Sequence, residues 1–219
     1  MTAPSGGVHA NIRIGDTMLF LGGSTATSPR QEADRPMAFH IYVKDVDDIH
    51  RRAVAAGALS IGEPRDQPYG ERGSGVKDMA GNYWYIATAR GESYVPKGLH
   101  TVMPYMHPER ADPLIEFIKR AFGGEQLARH ATPQGRVMHA QVKIGDSILE
   151  MGEAHEQYQN MEMSFYLYVP DADAAYSRAT AAGATSVMPP ADQRWGDRMA
   201  VVKDNFGNLW SLATHVKEV

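Results

Sequence analysis

Gly75–Thr88 reads GVKDMAGNYWYIAT, and Val201–Thr214 reads VVKDNFGNLWSLAT. Each phrase is strand-like at both ends and carries Gly-Asn in the middle. Glycine and asparagine supply the positive φ values that tight turns need, so each phrase predicts a hairpin with a tryptophan on its second strand. A phrase repeated at a spacing of 126 residues points to duplication.

Working outward, the identity extends on both sides. Ala38–Thr88 aligns with Ser164–Thr214 at 25 of 51 positions. His9–Gly22 (HANIRIGDTMLFLG) aligns with His139–Gly152 (HAQVKIGDSILEMG) at 7 of 14 positions, at an offset of 130. The four-residue difference falls in loops, where length changes cost little. The second copy reads as a strand (LHTVMPYM), a helix (PERADPLIEFIKRAFGG) ended by Gly123-Gly124, and three strands. A new strand at Phe165 follows, then the helix DADAAYSRATAAG capped by Asp171 and closed by Gly183, and three more strands. The order is βαβββ, twice. The first copy opens at His9, without counterparts of the strand and helix at 99–123. Three units and one unaccompanied hairpin result, and the open edge of that hairpin calls for a covering partner.

The 219 residues include no cysteine, carry a net charge of −4 and are 43% hydrophobic. Disulfides, thiolate nucleophiles and cysteine zinc sites are excluded. No basic cluster suits nucleic acid or anionic lipid, and no apolar run of membrane-spanning length occurs. The start MTAPSGGVHANIRIGD does not read as a secretory signal, so a cytoplasmic location is expected.

Paired βαβββ units that each end in D-x-x-G-N-x-W resemble the vicinal oxygen chelate (glyoxalase, bleomycin resistance, dioxygenase) superfamily. HAQVKIGDSILEMGEAH and KDNFGNLWSLATH are similar to its PhnB-like branch. The resemblance implies an α+β fold of tandem βαβββ units in cupped mixed sheets, with the first unit truncated. The expected division is an incomplete domain at 1–89, a linker at 90–97 and a complete domain at 98–219. It also implies a cavity for a small molecule, and homodimers are expected.

Enzymes of the superfamily hold a divalent ion on ligands from the first and last strands of each unit. Matched position by position, His100 and Glu150 fall on the His and Glu places of one unit. Their partner positions are Ser164 and Ser211, and the first copy offers Phe20, Ala38 and Tyr85. His139, which recurs as His9, and His40 are further candidates on neighbouring faces. Glu150 stands out in the otherwise apolar SILEM, where a buried carboxylate needs a purpose. The loops DQPYGERG and DQRWGDR each set an aromatic beside Gly and Arg, and in the family this loop borders the cavity. Trp195, Arg198, Trp210, Tyr166 and His139 are therefore the expected ligand contacts. Core packing or ion pairing remains the alternative for each of them.

Two readings stay open. In one, the chain binds an aromatic or amphipathic small molecule, as bleomycin resistance proteins do, and needs no cofactor. In the other it is a metal-dependent lyase, isomerase or dioxygenase, with one Ni, Zn, Mn or Fe ion on His100 and Glu150 and with Glu150 as the catalytic group. Serine at 164 and 211 favours the first.

Overall fold

The structure is a computed structural model that describes residues 9–22, 36–156 and 158–217. Two compact units divide the chain, Met1–Tyr105 and Met106–Val219. Among the described residues no helix is long and apolar enough to cross a membrane.

In the first unit, β1 (His9–Ile14) and β2 (Thr17–Gly22) form an antiparallel hairpin. Its turn residue Gly15 has φ +60°, and a Cβ there would run into the side chain of Thr101. The unit continues through β3 (Ala38–Tyr42), α1 (Val46–Ala55), β4 (Leu59–Asp66), β5 (Glu71–Lys77), β6 (Tyr83–Ala89) and β7 (Val102–Met106). The strands lie in the order β4-β5-β6-β3-β7, with β3 parallel to β6 and the other neighbours antiparallel. Because β7 pairs with β3 (Phe39 opposite Pro104), the division falls at Tyr105, beyond the 90–97 stretch that the repeat boundaries suggest.

The second unit starts with α2 (Ala111–Phe122), then β8 (Glu125–Ala131), β9 (Val137–Ile144) and β10 (Ser147–Met151), an antiparallel set with β9 central. A second sheet follows from β11 (Ser164–Tyr168), α3 (Ala172–Ala181), β12 (Thr185–Asp192), β13 (Asp197–Lys203) and β14 (Leu209–His215), ordered β11-β14-β13-β12. This is the mixed α+β architecture that tandem βαβββ units predict.

The capping chemistry is local. Asp45 and Asp171 accept backbone N–H bonds from Asp48 and Ala174, opening α1 and α3. Gly123, at φ +70°, closes α2. α3 presents Ala172, Ala175 and Ala179 to its sheet, and these small side chains let the helix lie close.

The repeated phrase has a physical basis. Asp204 accepts the backbone N–H groups of Phe206 and Asn208, the Asn208 amide at 2.9 Å and the Trp210 indole N–H at 2.9 Å. Asn208 in turn accepts the N–H of Met163, just ahead of β11. Asp78, Asn82, Trp84 and Met37 repeat the arrangement in the first unit. The D-x-x-G-N-x-W phrase thus ties a hairpin turn, a tryptophan and the first strand of its own sheet together through one carboxylate and one amide.

Candidate functional site

Two side-chain clusters on the second unit's sheets hold most of its unusual polar groups. The first lies on β9 and β10. Residues 139 and 141 share a strand face, and Gln141 lies directly opposite Glu150. Ala140 and Val142, on the other face, are fully buried. Glu150 is also fully buried: Gln141 Nε2 donates to Oε1 at 2.8 Å, and His139 Nε2 approaches the same oxygen at 3.8 Å. His130, opposite His139 on β8, stacks with it at 6.4 Å between ring centroids.

His100 belongs to the first unit and precedes β7 rather than lying in it. Its Nδ1 meets Asp16 Oδ2 at 2.8 Å, and the other oxygen of Asp16 accepts the Thr101 N–H at 2.8 Å. These two bonds hold the Asp16 carboxyl far below the usual carboxylate range. The β1–β2 turn is thereby fastened to the chain ahead of β7. Asp16 was missed in the sequence, where Gly15-Asp16 reads only as a turn.

A three-ligand metal centre needs converging donors. Among the described residues no three His, Asp or Glu side chains are grouped to hold an ion. The Glu150 carboxylate accepts from the Gln141 amide and stands beside the His139 imidazole, and among the described residues no third His, Asp or Glu joins them as the family's centre requires.

The second cluster surrounds Asp197, at the start of β13. Its carboxylate is 3% exposed, accepts the Tyr166 hydroxyl at 2.6 Å and faces His215 Nδ1 at 3.0 Å. Burial acts to raise its carboxyl, but the bonds from Tyr166 and His215 outweigh that and hold it below the ordinary range. Burial, then the bond to Asp197, push the Tyr166 phenol well above its ordinary range. Trp195 sits in the β12–β13 turn, two residues before Asp197. Strand register explains the grouping. Asp197 pairs with His215 across β13–β14, and Tyr166 pairs with Ser211 on β14, the same face. Tyr168 follows Tyr166 on that face, with ring centroids 5.2 Å apart and planes at 57°. The three rings remain open: Tyr166 is 37%, Tyr168 63% and Trp195 51% exposed.

Trp195 and Tyr166 are thus brought together, while Arg198 and Trp210 are not part of their group. Arg198 alternates to the opposite face, where Nη2 bonds Asp173 at 2.7 Å and Nη1 bonds Asp192 at 3.0 Å. Arg72 does the same with Asp47 and Asp66, so the Arg of each loop braces a helix start against its sheet. Trp210 is 0% exposed, stacked on Phe165 at 4.4 Å with Phe122 at 4.7 Å. It is a core residue and offers no surface to a ligand. Asp197 and His215 were missed in the sequence; the available signal was the shared strand parity of Tyr166, Asp197 and His215, readable once the register is known.

Comparison with known proteins assigns the scaffold. The family model described as Glyoxalase/Bleomycin resistance protein/Dioxygenase superfamily matches residues 99–212. An uncharacterized protein of Mycobacterium bovis is 35% identical over 127 residues, 53% of this chain and 84% of that protein. Glyoxalase I from Zea mays superposes with a TM-score of 0.62 at 14% identity, over 82% of this chain and 66% of that one, a likeness of fold. TioX from Micromonospora sp. ML1 matches at 29% identity over 51% of this chain and 95% of its own, with a TM-score of 0.46. With more than half its length matched by the family model, the chain belongs to the glyoxalase/bleomycin resistance protein/dioxygenase superfamily.

Proposed function

We propose that this chain is a small-molecule-binding protein of the bleomycin-resistance type, PhnB-like in its repeat phrases, which holds an aromatic or amphipathic ligand on the open face of its last sheet. One observation carries the reading: three aromatic rings, Tyr166, Tyr168 and Trp195, stand open to solvent, and the hydroxyl of Tyr166 is held by a buried carboxylate. Burying those rings on folding would have been favourable, so leaving them exposed and oriented suits a ligand that completes the burial. Rigid aromatic side chains lose little entropy on contact. Exposed Ile12, Met18, Phe20 and Leu21 on β1–β2 support a homodimer that covers this hairpin.

The test is a fragment screen by ligand-observed NMR on protein dialysed against a chelator. Planar aromatics should bind, and Trp195→Ala and Tyr166→Ala should each weaken them at least fivefold. Binding that appears only after divalent ions are restored would reject the reading.

A second reading, a metal-dependent lyase, isomerase or dioxygenase with His100 and Glu150 as ligands and Glu150 as the proton-handling group, has one observation behind it. The Glu150 carboxylate is fully buried beside His139, a costly placement for a purely structural residue. Elemental analysis of the purified protein separates the two. Stoichiometric metal lost in both Glu150→Gln and His100→Ala would favour the enzyme.

A further inference from the structure

The chemistry around Asp197 says more about the ligand than that it is aromatic. A carboxylate withdrawn from water is costly unless its charge is met. Here it is met by the Tyr166 phenol on one oxygen and the His215 imidazole on the other. Among the described residues no Lys or Arg makes an ion pair with it: Arg198 turns to the opposite face and is held by Asp173 and Asp192. Lys203, on the same face of β13, is six residues along, about 20 Å at strand rise, whereas Lys217 lies closer, its backbone N–H bonded to Gly196 O at 3.2 Å.

The negative charge of Asp197 is therefore offset only when its ion-pair partner His215 is protonated, and the Tyr166 hydroxyl adds a neutral donor. Above it stand Tyr166, Tyr168 and Trp195. Aromatic faces are the negative pole of the ring quadrupole. A phenol that donates its proton to a carboxylate has a still more electron-rich ring. Two tilted tyrosines and a tryptophan over a buried anion form a half-open corner of negative potential with apolar walls. Such corners attract cations that shed water readily.

We propose that this face recognises a positively charged nitrogen, a quaternary ammonium or protonated alkylamine, carried by the bound aromatic molecule. The inference rests on the binding reading above and adds the charge of the ligand to it. Cation and ring contact each other without a direct ion pair, since both oxygens of Asp197 already accept bonds; the carboxylate acts through the rings and through space.

The experiment uses a matched pair of probes on the full chain: benzyltrimethylammonium and neopentylbenzene, its uncharged carbon isostere, each titrated while tryptophan fluorescence is followed. The cation should bind about tenfold more tightly than the isostere. Asp197→Asn should bring the two together, and Tyr166→Phe, which keeps the ring and removes the donated proton, should narrow the gap. Should Asp197→Asn fail to fold, Trp195→Leu, at an exposed turn, serves in its place and should cut binding of the cation at least fivefold. Equal affinity for the two probes overturns the charge inference and leaves aromatic binding standing. Binding of neither overturns both. Preferential binding of the cation that Asp197→Asn and Trp195→Leu leave unchanged also overturns it, because the cation then sits elsewhere.

Discussion

Trp84 and Trp210 occupy equivalent places in the two copies. Each donates its indole N–H to the aspartate of its turn, and each stacks on the phenylalanine of the neighbouring first strand, at 4.8 Å for Phe39 and 4.4 Å for Phe165. Their surroundings differ. Phe117 and Phe122 of α2 close over Trp210, and the Arg120 guanidinium reaches the Ala182 carbonyl at the end of α3. Trp84 instead faces a hollow of about 310 Å³ lined by Ile49, Ala53, Val76, Met79 and Ile86. The same sequence phrase yields a closed core where a helix covers it and an open groove where none of the described residues does. Local hydrogen bonding sets the turn; tertiary cover sets the burial.

The largest test of this contrast is truncation. Trp210→Ala empties a closed core and should cost about 3–5 kcal/mol of unfolding free energy in urea. Trp84→Ala, in a face already half open, should cost about 1–2 kcal/mol. Equal losses would break the comparison.

Acid supplies a second test, specific to the closed copy. His107 is buried against Gly152 O and the Tyr158 ring, and burial lowers its pKa from 6.5 to about 4. Between those values the unfolded chain binds more protons than the folded one, so stability falls as pH falls through that window. The loss should reach about 3 kcal/mol by pH 4, and His107→Asn should flatten the slope.

Filling sharpens the contrast by reversing its sign. Ala53→Leu extends into the hollow and should stabilise by up to about 1 kcal/mol. Ala179→Leu, the equivalent change where Ala179 is fully buried, should destabilise by about 1–3 kcal/mol. Thermal unfolding of the two variants reads both.

Much of the fold was legible because duplication exposes it: two copies of one phrase at one spacing define unit length, strand order and the turn. The candidate site was less so. Tyr166 and Trp195 could be picked out as aromatics in promising places, but the residue that organises them, Asp197, looks in sequence like any acid after a turn glycine. Its role depends on cross-strand register with His215, a non-local fact. The bond between His100 and Asp16 was illegible for the same reason: the two lie 84 residues apart. Trp210 was ambiguous because a tryptophan on a strand suits a pocket wall and a core equally, and α2, not the strand itself, decides between them.

The proposed ligand face is the open aromatic face of the second unit, away from both turn tryptophans. The chain has three tryptophans, so a ¹H–¹⁵N spectrum should show three indole signals, assignable by substitution. Titrated with an aromatic ligand from the screen, the Trp195 indole should shift and saturate while that of Trp210 stays in place. A ligand that moves the Trp84 or Trp210 signal and leaves Trp195 unchanged would place binding elsewhere and overturn this assignment.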